Sequence, residues 1–104
     1  MKQDMYVILT SKPGQFRSEL TEGLHAVESY DYAFCGRKRA HFVIAELGCP
    51  TRVRIVDETP PRVVNLVPTK FLEKFHTIEA ARRELQALAT SGGAQATLTR
   101  VPLP

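Results

Sequence analysis

The sequence of 104 residues predicts an α+β domain, an antiparallel sheet with two helices packed on one face. Three observations predict it. Tyr30 to Leu47 holds two alternating apolar runs around a glycine and three cations, the pattern of a β-hairpin. Thr51 to Val67 alternates again on both sides of Asp57-Glu58-Thr59-Pro60-Pro61, which reads as a second hairpin. Phe71, Phe75, Ile78, Ala81, Leu85 and Leu88 recur at spacings of three and four, the stripe of an amphipathic helix.

Composition sets the class. Hydrophobic residues make up 43% of the chain and charged residues 24%, ordinary values that argue against disorder except at the ends. The length fits one domain over residues 1–104. The two cysteines, Cys35 and Cys49, are too few for a disulfide framework and read as reduced thiols in a cytoplasmic protein. Met1-Lys2-Gln3-Asp4 lacks the apolar run of a signal peptide. Every apolar run is far shorter than the roughly 20 residues that span a bilayer, so no membrane role is expected. The net charge of +3 permits an acidic partner without demanding one.

Each element then has its own justification. Met5 to Thr10 is an unbroken apolar run, as in a strand covered on both faces. Ser11-Lys12-Pro13-Gly14 breaks it. Phe16, Leu20, Leu24 and Val27 are four, four and three apart, which predicts a helix, with Gly23 marking a close approach to the sheet. Tyr30, Tyr32 and Phe34 share one face of the next strand, and Phe42 and Ile44 share a face of its return. Gly36-Arg37-Lys38-Arg39 is the expected tip, because three adjacent cations belong in water. In Thr51 to Val56, Val53 and Ile55 point one way and Arg52 and Arg54 the other. With Arg62 to Val67 this predicts a four-stranded meander from Tyr30 onward. Thr69 is a candidate N-cap for a helix from Lys70, which is either continuous or broken at His76 and restarted by Thr77. Gln95 to Val101 alternates and predicts an edge strand, and about 92–104 would comprise that strand and a loose tail. The resulting order, β-α-β-β-β-β-α-β, is ferredoxin-like in spirit, with one hairpin added.

Chemistry is sparse. The chain holds no nucleophile elbow, phosphate loop, zinc-protease helix or dinucleotide fingerprint. His25, His41, His76, Cys35 and Cys49 show none of the short spacings of a metal site, although His41 and Cys35 can meet across the hairpin. No metal or other cofactor is expected. Lys38 to Ala45 echoes an RNA-recognition signature, but Arg39 stands where glycine is required and Ala40 and Ala45 where aromatics would stack on bases.

These readings favour a small cytoplasmic binding domain, an accessory or regulatory protein that dimerises or docks on a larger protein. Arg37, Lys38, Arg39, Arg52 and Arg54 would steer an acidic partner, and Tyr30 or Tyr32 would anchor it. One alternative is a nucleic-acid-binding domain using the same cations. A second is a small enzyme or ligand-binding domain.

Overall fold

A computed structural model describes residues 5–103. In chain order the elements are β1 (Met5–Ser11), β2 (Phe16–Glu19), β3 (Leu24–Phe34), β4 (Arg37–Leu47), β5 (Arg52–Asp57), β6 (Val64–Pro68), α1 (Ile78–Ser91) and β7 (Ala96–Val101). A first antiparallel sheet has the order β1-β4-β3-β7, and a second has the order β2-β5-β6. The described residues thus form a small α+β domain with two antiparallel sheets and one α-helix. Met1–Asp4, read above as lacking a signal peptide, lie outside the described residues.

Strand β4 sits inside the first sheet, and its alternation builds two cores. Phe42, Ile44 and Ala40 face α1, where they meet Ala81 and Leu85. Ala45 and Leu47 face the other way and pack with Val7, Leu9, Leu24 and the Val53 of β5. The register Ile8↔Ile44 and Val7↔Ala45 repeats this division on β1, so the unbroken apolar run of that strand is covered on both sides. The layers are therefore helix, first sheet, second sheet.

The expected helix over Phe16 to Val27 is not formed. Spacings of four fit period two as well as period 3.6, so Phe16, Leu20 and Leu24 are equally a strand pattern. Gly14 and Gly23 adopt φ of +81° and +94°, which puts turns at both ends of a short strand. Ser18 bonds to β1, its N–H donating to Ser11 Oγ at 2.9 Å and its hydroxyl to the Thr10 carbonyl. Residues 16–19 then pair with β5. Gly23 is closely approached, but by the link between the sheets and not by a sheet as expected: a Cβ there would lie 3.1 Å from Cys49 Sγ.

The four-stranded meander is also corrected. The hairpin β3–β4 belongs to the first sheet and the hairpin β5–β6 to the second, with β2 inserted beside β5. Gly48-Cys49-Pro50 carries the chain from one sheet to the other. Thr69 caps no α-helix. It is 1% exposed, and its hydroxyl donates to the Thr51 carbonyl at 3.0 Å and accepts from the Thr51 N–H at 3.1 Å. Only a 3₁₀ turn follows, and Phe71 is 71% exposed. The stripe is broken at His76, as the second of the two helix readings has it. Thr77 Oγ1 accepts from Ala80 N at 3.1 Å, and α1 begins at Ile78. Phe75 instead exchanges backbone hydrogen bonds with Tyr6, both 2.8 Å, on the free side of β1. The expected edge strand is β7, which pairs with β3 from Ser29↔Val101 to Phe34↔Ala96.

A bulge in β3 ties the helix to the sheet. The register passes from Ala26↔Ala45 to Glu28↔Ile44, so Val27 is the extra residue and the facing reverses beyond it. Leu24 packs toward the second sheet, while Glu28 and Tyr30 turn toward α1. Glu28 is 3% exposed. Arg82 of α1 donates to both of its carboxylate oxygens, the Nε–Oε1 contact being 2.9 Å. The Tyr30 hydroxyl donates to Oε1 at 2.6 Å, and Arg100 of β7 lies 3.5 Å from Oε2. The Arg82 hydrogen bonds outweigh the cost of burial and, with Tyr30, hold the Glu28 pKa down to about 2.

Candidate binding groove at the basic end of the sheet

The β3–β4 hairpin turns at Cys35-Gly36, with φ of +53° and +76°. Two consecutive positive φ values in a two-residue loop match the twist of the flanking strands. The tip is therefore one residue earlier than expected. Arg37 and Lys38 are strand residues paired with Phe34 and Ala33. A second irregularity falls next to them: Tyr32 pairs with Ala40 and Ala33 with Lys38, so Arg39 has no partner on β3. Such an extra residue re-aims a side chain.

That re-aimed residue reaches a groove of about 480 Å³ between the C-terminal part of α1 and the open end of the first sheet. Sheet register builds its floor. Phe42 lies between Thr10 on β1 and Tyr30 on β3, and Ala40 lies beside Tyr32. The rings of Tyr32 and Phe42 meet edge to face, with centroids 6.4 Å apart and planes at 69°. Leu88 of α1 forms a wall, and Lys12 and Arg39 also line the groove as exposed cations. A Cβ at Gly92 would sit 2.7 Å from Tyr32 Oη, so the bare glycine lets that hydroxyl approach the helix end.

On the opposite face of the same strands, Ser11, His41 and Asp31 fall in one register row. His41 Nδ1 is 2.8 Å from Asp31 Oδ1, and Lys38 Nζ is 3.2 Å from the same oxygen. Burial alone would raise the Asp31 pKa, but hydrogen bonds to His41 and Lys38 overcome it and hold the carboxyl below its ordinary value. Ser11 Oγ is engaged by the Ser18 N–H. His41 thus meets Asp31, where the sequence had offered Cys35 as its neighbour.

The residues singled out in the sequence separate into three places. Arg37, Lys38, Arg39 and Tyr32 lie together at the basic end. Lys38 is committed to Asp31, whereas Arg37 and Arg39, like Lys12, form no ion pair among the described residues. Tyr30 lies half-buried under α1 with its hydroxyl on Glu28. Arg52 and Arg54 belong to the second sheet, where Arg54 Nε is 3.0 Å from Glu19 Oε1 and Glu19 also holds Arg17. Both arginines are exposed, and Val53 between them is buried, as the alternation requires.

Lys12 and Leu88 were not singled out as site residues. Lys12 gave no signal beyond a turn, and Leu88 read as core because it continues a helical stripe. It is nonetheless 44% exposed, while Leu85 and Ala89 beside it are 2% and 6% exposed. Cys35 and Cys49 are free and exposed. Among the described residues, no three His, Cys, Asp or Glu side chains gather as metal ligands, and no helix is long and apolar enough to cross a membrane. Comparison with protein-family models, with curated proteins and with solved structures gives no match.

Proposed function

We propose that this chain is a small binding domain that docks on an acidic region of a protein partner, in an accessory or regulatory role. The observation that carries the reading is a group of exposed cations that form no ion pair among the described residues: Lys12 and Arg39 on the lining of a groove with an aromatic floor, and Arg37 two positions from Arg39 on the same strand. Unpaired surface cations raise the encounter rate with an acidic surface and leave no internal pair to break on binding. Tyr32 is the anchor of choice. Tyr30 supports the floor, since its hydroxyl is held by Glu28. Arg52 and Arg54 add positive field from the second sheet and lie outside the groove.

The test has two stages. Native mass spectrometry of the untagged protein, purified from its own cells, should show a second protein retained with it. Affinity for that partner should fall with salt. Replacing Arg37 and Arg39 by serine, with Lys38 left on Asp31, should weaken it by about tenfold, since two rim charges together are worth about 1.4 kcal/mol. Unchanged affinity in the double variant would defeat the electrostatic docking reading. Retained nucleic acid would defeat the assignment of a protein partner.

Self-association is the second reading, and β7 motivates it. Ala96–Val101 is an edge strand of the first sheet and contains neither proline nor lysine, two common protections of such an edge. A two-fold pairing of β7 with its copy would extend that sheet. Sedimentation equilibrium at tens of micromolar should then return twice the chain mass, and the monomer mass would dismiss it.

A further inference from the structure

We infer that the groove floored by Phe42 and Tyr32 receives one apolar side chain, aromatic or branched aliphatic, from an acidic segment of the partner, with carboxylates on either side of that residue meeting Lys12 and Arg39. The inference rests on the docking reading and adds the chemistry of the segment.

The groove is divided in polarity. Ala40 and Phe42 are each 6% exposed and form a floor that cannot compensate a desolvated carboxylate. Among the described residues no carboxylate lines the groove, and the charged ones that do are Lys12 and Arg39. Both are exposed, so their charges stay in water while their stems cover apolar surface. A ligand that fits has an apolar centre and anionic flanks.

Leu88 points to the same occupant independently. The helix buries Ala81, Leu85 and Ala89 at intervals of four, and Ile78 packs on the same core. Leu88 instead stands at the groove wall with nearly half its surface in water. An inserted side chain would close Leu88, Tyr32 and Phe42 around itself, and a cavity of about 480 Å³ is large enough for it. The same geometry disfavours a nucleic-acid base. Phe42 is only 6% exposed, so it offers little open ring face on which a base could stack.

Two fluorescein-labelled heptapeptides test this by anisotropy at low and moderate salt. Each has six glutamates and aspartates around a central residue, phenylalanine in one and serine in the other. The phenylalanine peptide should bind at least about tenfold more tightly, as for a hot-spot side chain in a pocket. Both peptides should lose affinity with salt to the same degree. In Leu88→Asn, a change at an exposed position, the advantage of the phenylalanine peptide should shrink to about threefold or less. Equal, salt-sensitive affinities of the two peptides would overturn the groove assignment and leave the docking reading standing. No binding of either peptide would overturn both. Tighter binding of an oligothymidylate of equal charge would also overturn both and assign the cations to nucleic acid.

Discussion

Glu28 shows how a single residue can hold a layer in place. It is a buried carboxylate whose neighbours are drawn from α1, β3 and β7, and its pKa is held down to about 2 from an ordinary 4.5. The sign of the linkage follows. The folded pKa is depressed, so the stabilisation is fully present above pH 4.5 and is lost as pH falls toward 2. The amount is on the order of 3 kcal/mol. Urea unfolding at a series of pH values should show this slope, and Glu28→Gln should flatten it while costing about 2 kcal/mol at pH 7. A wild-type and a variant curve of equal steepness below pH 4.5 would contradict the assignment. Arg82→Ala should cost about 3 kcal/mol, because it leaves the buried carboxylate with weaker partners. Glu28 stands two residues before Tyr30-Asp31-Tyr32, and only the extra residue Val27 turns it inward.

At the scale of elements, turn chemistry and capping make separate predictions. Cys35 holds a left-handed conformation that costs a side-chain-bearing residue roughly 1 kcal/mol. Asparagine tolerates that conformation, and Asn-Gly is the favoured pair for this turn. Cys35→Asn should therefore stabilise the protein by about 0.5–1 kcal/mol, read as a higher urea midpoint with unchanged slope. Thr77→Ala should cost about 1 kcal/mol by removing the cap of α1. Thr69→Val should cost about 2 kcal/mol, because it leaves the Thr51 N–H without its buried partner. The two threonines look alike in sequence, each preceding an apolar helical spacing. Their roles diverge because the stripe before His76 does not act as one helical face: Phe71 stays in water, while Phe75 packs on the helix-side core and clasps β1 through its backbone.

For the whole molecule, charge placement matters more than charge count. Of the sheet arginines, Arg17 and Arg54 share Glu19, and on the opposite sheet Lys38 is held by Asp31. Among the described residues, Lys12 and Arg39 on the groove and Arg37 beside them on β4 form no ion pair. Docking through them should give a slope of log affinity against log salt that falls measurably in the Arg37→Ser/Arg39→Ser double variant and not in Arg54→Ser. Equal loss of slope in both would move the interface to the second sheet. The two basic clusters look continuous in the sequence because alternating arginines follow the hairpin by only a dozen residues. In space, the link through Gly48-Cys49-Pro50 sends them to different sheets.

Local pattern by itself determined the hairpin Tyr30 to Leu47, the inward Val53 and outward Arg52 and Arg54, the edge strand before Pro102, and the α+β class. These depend on alternation and turn residues, which act over a few neighbours. Tertiary structure decided the rest. Spacings of four in Phe16, Leu20 and Leu24 satisfy both periods, and pairing with β1 and β5 chose the strand. Which hairpin joined which sheet depended on long-range pairing, and the single helix covered the first sheet where a second had been expected. The groove is likewise a product of assembly. Tyr32 and Arg39 were legible as candidates, but Lys12, Phe42 and Leu88 join them only through register across three strands and a helix laid over their open end. A one-dimensional pattern records which face a residue takes within its own element, and the neighbour it meets there is set by contacts far away in the chain.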